Sequence, residues 1–91
     1  DSGISGRVAA AVGRRLAVLA SSRQTLVITH LPQIASLADH HFSVRKLERQ
    51  KRTVTEVVGL TGDARAEEIA RLLAGDTVSE AARRHAQEML Q

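Results

Sequence analysis

The sequence predicts an α/β fold in the order helix, strand, helix, β-hairpin and two closing helices. Three observations indicate this fold. Apolar residues recur at three- and four-residue spacing near both ends of the chain, a short apolar run lies at Thr25–Thr29, and the period changes to two from His41 onward. Spacing of three and four is typical of one helix face and a period of two is typical of strands, so helical and strand segments alternate.

The apolar content favours one small lobe that depends on further polypeptide. The chain has 91 residues and is 43% apolar, but Phe42 is its single aromatic residue. Because large aromatic side chains dominate the apolar area that cores bury, a core of Ala, Val, Leu and Ile in so short a chain is marginal. We expect a domain that is incomplete without upstream sequence.

The first three elements are predicted from spacing and caps. Ser5 is expected to cap a helix that packs through one apolar face. That face contains Val8, Ala11, Val12, Leu16 and Leu19. The wholly apolar run Thr25–Thr29 is typical of a buried parallel strand, and Pro32 then permits a short helix that extends through Ala38.

The second half of the chain predicts a hairpin at a sheet edge. Phe42 and Val44 alternate with polar residues, and Val54, Glu56 and Val58 do so further along. The polar segment 48–52 between these runs is expected to form the connection.

Two helices are expected to close the fold. A helix over residues 66–73 should end at Gly75, because glycine adopts the left-handed conformation that commonly follows a helix. A capping box from Thr77 to Glu80 should begin the last helix. One side of that helix is expected to contain Val78, Ala81, Ala82, His85 and Met89, with His85 packed and hydrogen-bonded.

His30 is the strongest candidate functional residue from position alone. It ends the apolar run Thr25–Thr29, and ligands of open parallel sheets collect at the carboxyl ends of the strands. Taken by itself, a histidine at this place is better explained by a loop hydrogen bond than by a ligand contact. No metal site is predicted, because His40 and His41 would point to opposite faces of a strand and the chain has no cysteine. Gly-x-Ser-x-Gly and Walker A segments are also absent from the sequence.

The charge distribution leaves a second function open. The formal net charge is +3, and basic residues concentrate in Arg45–Arg52 and at Arg14-Arg15. Such a patch attracts phosphate, although basic residues on hairpins often serve only as a solvated edge. The alternative to an enzyme part is therefore a small basic nucleic-acid-binding or dimerisation module without catalysis. The lack of cysteine and of any signal-peptide or membrane-spanning pattern favours a reducing, cytoplasmic location.

Three segments together resemble a known family. They are Asp1–Val8 (DSGISGRV), Val27–Ala35 (VITHLPQIA) and Ala66–Leu73 (AEEIARLL). In identity, order and separation they resemble the carboxyl-terminal end of the RecN family, bacterial DNA-repair ATPases of the SMC-like branch of the ABC-type ATPases. The resemblance covers nearly the whole chain. It implies that residues 1–91 form the carboxyl-terminal portion of a P-loop ATPase head, from the D-loop to the C-terminus.

The resemblance also implies roles for particular residues. The D-loop, which crosses the interface between two heads and helps place the nucleotide, would consist of Ser2, Gly3, Ile4 and Ser5. Ser5 departs from the aspartate that commonly ends this loop in transporters, so transporter-type contacts are not expected. His30 resembles the switch histidine, which reaches the γ-phosphate and helps orient the attacking water. An imidazole suits this task because it donates a hydrogen bond in both protonation states.

The same resemblance implies cofactors and partners. ATP and Mg²⁺ would be bound mainly by residues outside this segment, so the segment alone should not hydrolyse ATP. The expected partners are the remainder of its own head, a second head in an ATP-dependent homodimer, and DNA. The implied process is double-strand break repair and recombination at the bacterial nucleoid, with no membrane involved.

Overall fold

The computed structural model describes residues 6–91. Within that range the chain forms α1 (Gly6–Ala20), α2 (Pro32–Ala35), β1 (His41–Arg49), β2 (Arg52–Leu60), α3 (Gly62–Ala74) and α4 (Glu80–Met89). The predicted order is confirmed except for the strand between α1 and α2, which is absent from the described residues. The α/β class therefore depends on the hairpin alone.

The segment expected to be a buried strand has no regular secondary structure. Residues 24–31 are assigned to neither helix nor strand, and Leu26 and Ile28 are 87% and 94% exposed. The prediction of a buried strand at Thr25–Thr29 is therefore wrong for the described residues. The physical reason is pairing: a strand needs a neighbour for its backbone groups, and β1 and β2 pair with each other.

The hairpin is longer and its turn tighter than the sequence predicted. β1 and β2 are antiparallel, with His41 opposite Leu60 at one end and Arg49 opposite Arg52 at the other. Only Gln50 and Lys51 form the turn, with φ of 50° and 64°. Positive φ at both positions is the geometry of a two-residue turn that matches strand twist, so pairing continues through part of the polar segment that was expected to form the loop.

The core lies between α3, α4 and α2. Ile69 and Ala70 of α3 pack with Ala86 of α4 and Ala35 of α2, and Ile69 is the one large side chain among residues 6–91 that is fully buried. Half-buried residues packed around this cluster are Leu72, Leu73, Val78, Ala82, Met89 and Leu90. α3 and α4 thus fix the position of the short α2 by packing against its buried residue Ala35.

The end of α3 agrees with its predicted stop signal, whereas the start of α4 differs from its predicted cap. Gly75 follows α3 with φ of 81°, which confirms the predicted glycine stop. The predicted capping box is wrong, because Ser79 caps α4: its hydroxyl accepts a hydrogen bond from the Ala82 amide at 3.1 Å. A serine directly before the first helical turn satisfies an amide that Thr77 is too early to reach.

His85 is not packed as expected. His85 and Ala81 are exposed on α4, whereas Ala86 is fully buried. Val78, Ala82 and Met89 of the predicted side do pack against the core, so the prediction is wrong at Ala81 and His85 only and missed Ala86. A small alanine fits the close α3–α4 contact, which an imidazole at the same place would not.

Helix α1 packs through a different face from the predicted one. Ala9 and Gly13 are its buried residues, whereas Val8, Val12 and Leu19 of the predicted apolar stripe are exposed. A Cβ atom on Gly13 would lie 3.2 Å from the Gln33 carbonyl oxygen and 3.4 Å from Ile34 Cα. Two small residues, Ala9 and Gly13, thus allow α1 to approach the backbone of α2 closely, and the bulky stripe stays outside this contact.

Candidate functional site

The candidate site is centred on the segment that joins α1 to α2. His30 lies in this segment and is exposed, and Thr29 before it is half-buried. The Leu31 amide donates a hydrogen bond to Thr29 Oγ1 at 3.0 Å, which fixes a local turn around His30. Leu31 has φ of −95° and ψ of 119°, so the backbone stays extended until Pro32 begins α2. The backbone on both sides of His30 is therefore constrained, and the His30 side chain is exposed at the surface.

The start of α1 lies beside α2. A Cβ atom placed on Gly6 would lie 3.2 Å from Gln33 Nε2, and Gln33 is three positions after His30. The predicted D-loop residues Ser2, Gly3, Ile4 and Ser5, together with the capping role expected of Ser5, lie outside the described residues. Their neighbour Gly6 nevertheless comes close to the short helix that follows His30.

One arginine of α3 binds the carboxyl end of α2. Arg65 Nη2 donates to the carbonyl oxygens of Ala35, Ser36 and Ala38 at 3.2, 3.3 and 2.6 Å. The final carbonyls of a helix have no partner within it and carry a partial negative charge, so a guanidinium there is favourable. α2 ends at Ala35 and continues only as a turn, so the predicted helix through Ala38 is too long.

Arg65 also borders a half-buried histidine of the hairpin. Burial is the main cause that lowers the pKa of His41; the nearby Arg65 charge lowers it further, and Glu68 opposes the shift. Among the described residues, His41 Nδ1 and Arg65 Nε are buried without a hydrogen-bond partner. Arg71 binds Glu68 through two hydrogen bonds of 2.9 and 2.7 Å and lowers the pKa of that carboxyl group. The α3 surface below the hairpin is thus a mixed and largely paired set of charges.

Across residues 6–91, no group of three His, Cys, Asp or Glu side chains is arranged to hold a metal ion. His40 and His85 are exposed, and His41 is half-buried against α3.

Among residues 6–91 no helix is long and apolar enough to cross a bilayer.

The outer half of the hairpin is a basic arm, defined here as residues 46–55. Every residue from Glu48 to Thr55 is exposed, and three cations surround the turn at Arg49, Lys51 and Arg52. Arg49 lies 3.6 Å from Glu56, with a side chain that is itself mostly exposed. The arm therefore offers guanidinium and ammonium groups to solvent beyond the part of the hairpin that packs.

A second exposed surface is apolar. The stripe of α1 forms a shallow groove of about 480 Å³ lined by Arg7, Val8, Ala11, Val12, Arg15, Leu16 and Leu19. The outward face of the hairpin adds Phe42, Val44 and Val57, which are also exposed. Contiguous apolar surface of this kind marks sites that other polypeptide covers.

Sequence reasoning missed Arg65. Its three acceptors lie 27 to 30 residues earlier in the chain, and they are backbone carbonyls that carry no sequence signature. An arginine in the first turn of a helix is ordinarily interpreted as a solvated charge, and is unfavourable for the dipole of its own helix. That unfavourable position was the only available signal.

Comparisons with known proteins agree with the motifs quoted above. No protein-family model matches the chain. The chain is 56% identical over 90 residues to the DNA repair protein RecN of Deinococcus radiodurans, 46% identical over 91 residues to RecN of Streptomyces coelicolor, and 41% identical over 90 residues to RecN of Bacillus subtilis. These alignments cover 99 to 100% of the chain and 16% of each relative. The resemblance to RecN is confirmed over the whole chain, which spans about one sixth of the length of these relatives.

Proposed function

Because the chain matches RecN DNA repair proteins along its whole length, we propose that it forms the carboxyl-terminal part of the ATP-hydrolysing head of a DNA repair protein. The observation that carries this proposal is the exposed His30, held between the Thr29 turn and α2 within a stretch that matches RecN. In this proposal His30 is the switch histidine, and Ser2, Gly3, Ile4 and Ser5 form the D-loop.

The chemistry at His30 suits a nucleotide phosphate. Bound Mg²⁺-ATP supplies the γ-phosphoryl group that water attacks, and such transfer depends on positioning and charge stabilisation more than on covalent chemistry. The exposed imidazole donates a hydrogen bond toward the γ-phosphate and helps to orient the water. The described residues contain no cluster of metal ligands, so Mg²⁺ is assigned to residues beyond them.

The apolar surfaces fit a head that is completed by other parts of the same protein. The groove along α1 and the exposed Leu26 and Ile28 need a cover, and the relatives are about six times as long as this chain. In the proposal, the remainder of the head covers them and provides the strand that pairs with residues 25–29. A second head then meets the D-loop in an ATP-dependent homodimer.

The experiment that tests the proposal replaces His30 in the full-length protein that carries this chain. We expect H30A to lower the kcat for ATP hydrolysis by ~100-fold, because removal of one donor at a transition-state charge costs roughly that much. The matched control is H85A, which removes an exposed imidazole from α4. The 91-residue chain alone should show no turnover. Equal kcat values for H30A, H85A and the unaltered protein would overturn the catalytic assignment.

A second candidate function rests on the basic arm. Its cations are exposed around a two-residue turn, and a two-stranded ribbon is narrow enough to enter the major groove of duplex DNA. The arm has no aromatic residue for base stacking, so we assign its binding to contacts between its cations and the DNA phosphates. As a function without catalysis it predicts salt-dependent DNA binding that the H30A substitution leaves unchanged.

A further inference from the structure

The short helix after His30 cannot hold itself in place. α2 consists of four residues, which is a single turn, and one turn gains too few hydrogen bonds to be stable alone. Its position must therefore come from ties to other parts of the chain. Two local features fix its start: Pro32 is the first helical residue, and the Leu31 amide donates a hydrogen bond to Thr29 Oγ1.

The tie at the other end comes from Arg65. One guanidinium nitrogen reaches three carbonyl oxygens at and just after the α2 terminus, those of Ala35, Ser36 and Ala38. Charge-assisted bonds of this kind are stronger than neutral ones. The stretch from Thr29 to Ala38, with His30 near its start, is thus held at both ends.

Arg65 is itself fixed to the core. It lies in the first turn of α3, where its amide bonds to the Thr61 carbonyl at 3.4 Å, and one turn later Ile69 is fully buried. Ala35 of α2 packs in the same cluster as Ile69. A rigid path therefore runs from the core through α3 and Arg65 to the terminus of α2.

We propose that Arg65 is a positioning residue for His30: by holding the carboxyl end of α2 it sets where the imidazole stands relative to the phosphate. This inference rests on the proposed function, because it gives Arg65 a role in the reaction only if His30 has one. It differs from a purely structural role in its consequences. Loss of Arg65 should impair the chemical step and leave nucleotide affinity largely intact, since in this proposal Arg65 acts through its bonds to the α2 carbonyls.

The test measures ATP turnover of the full-length protein with R65M, R65K, H30A and the double variant R65M/H30A. We expect R65M to lower kcat by ~10-fold to ~100-fold with the KM for ATP within about twofold, because small displacements of catalytic groups cost rates of this order. R65K should be intermediate, because lysine keeps the charge but lacks the planar, delocalised guanidinium of arginine. R65M/H30A should be no slower than H30A alone.

The matched control is R71M, the same substitution on the same helix, where Arg71 binds Glu68 and does not touch α2. Its kcat should stay within about twofold of the unaltered protein. If R65M does not fold, the cycle is measured with R65K, which should lower kcat in the presence of His30 and not in the H30A variant.

The outcomes separate the two proposals. If H30A leaves kcat unchanged, the role of His30 fails and the role of Arg65 fails with it. If H30A lowers kcat but R65M and R65K do not, only the positioning role is overturned. It is also overturned if the losses of R65M and H30A multiply in the double variant, or if R65M raises KM as much as it lowers kcat, because Arg65 would then act independently of His30.

Discussion

Replacing Gly13 with valine should separate α1 from α2. A Cβ atom at this position meets Leu37 Cδ1 at 2.8 Å, the Gln33 carbonyl oxygen at 3.2 Å and Ile34 Cα at 3.4 Å. Leu37 is 41% exposed, so its side chain can rotate away, but the two backbone atoms of α2 cannot. The close approach of the two helices therefore has no room for a branched side chain.

The size of the effect follows from two opposed terms. Replacing a glycine in a helix interior stabilises the helix by up to about 1 kcal/mol. Valine gives less of this stabilisation than alanine. Overpacking against atoms that cannot rotate costs about 1–3 kcal/mol, and valine adds two methyl groups beyond the Cβ. Alanine should therefore be close to neutral, whereas valine should weaken the α1–α2 contact by about 2 kcal/mol, or ~30-fold in its closing equilibrium.

Hydrogen exchange of α1 amides in the full-length protein measures this contact. We expect G13V to lose ~30-fold of protection in α1, while A17V, which places the same side chain at an exposed position of the same helix, keeps it. ATP turnover should fall with G13V, because the start of α1 leads into the proposed D-loop. Unchanged α1 protection in G13V would refute the packing argument, and lost protection with full turnover would refute its link to the site.

Two further predictions concern the hairpin. Because the pKa of His41 is lowered in the folded state, the unfolded chain binds a proton more readily than the folded one. The free energy of unfolding should therefore fall as pH drops from 7.5 to 5.5. H41Q should flatten this pH dependence in urea titrations, and an identical slope in both proteins would contradict the prediction. If the basic arm binds DNA phosphates, R49A/K51A/R52A should reduce the slope of log affinity against log salt by about 2 to 3 for a duplex. The control R23A/R71A/R84A removes three exposed arginines elsewhere and should not change the slope; equal slopes for the two triple variants would exclude the arm.

Local signals in the sequence predicted much of the fold. The glycine stop at Gly75, the change to period two at His41 and the order of helices and hairpin are encoded within a few residues, and each is confirmed. The hairpin turn was misjudged because Gln50 and Lys51 adopt positive φ without being glycine or asparagine. Polar composition predicts a loop, but only backbone geometry decides that two residues suffice.

Side-chain roles that depend on tertiary contact could not be predicted. His85 was expected inside and Ala86 is there instead, because the close approach of α3 and α4 admits the smaller residue. Arg65 was overlooked for a related reason, since its partners are backbone oxygens distant in sequence. The exposed imidazole of His30 agrees with the proposed site, and its role in catalysis stays a prediction.

The two largest errors have a common cause. The apolar stripe of α1 and the run Thr25–Thr29 were both predicted to be buried, and both are exposed in the described residues. Each pattern is typical of an element that packs, so the patterns are sound but the surfaces that would cover them are not supplied by residues 6–91. A parallel strand must have neighbours on both faces and along its edge, and no hairpin can provide them. If the remainder of a RecN-type head covers both surfaces, burial of Leu26 and Ile28 and attachment of α1 follow together. The imidazole of His30 would then stand at the carboxyl end of a true strand, where open sheets bind their ligands.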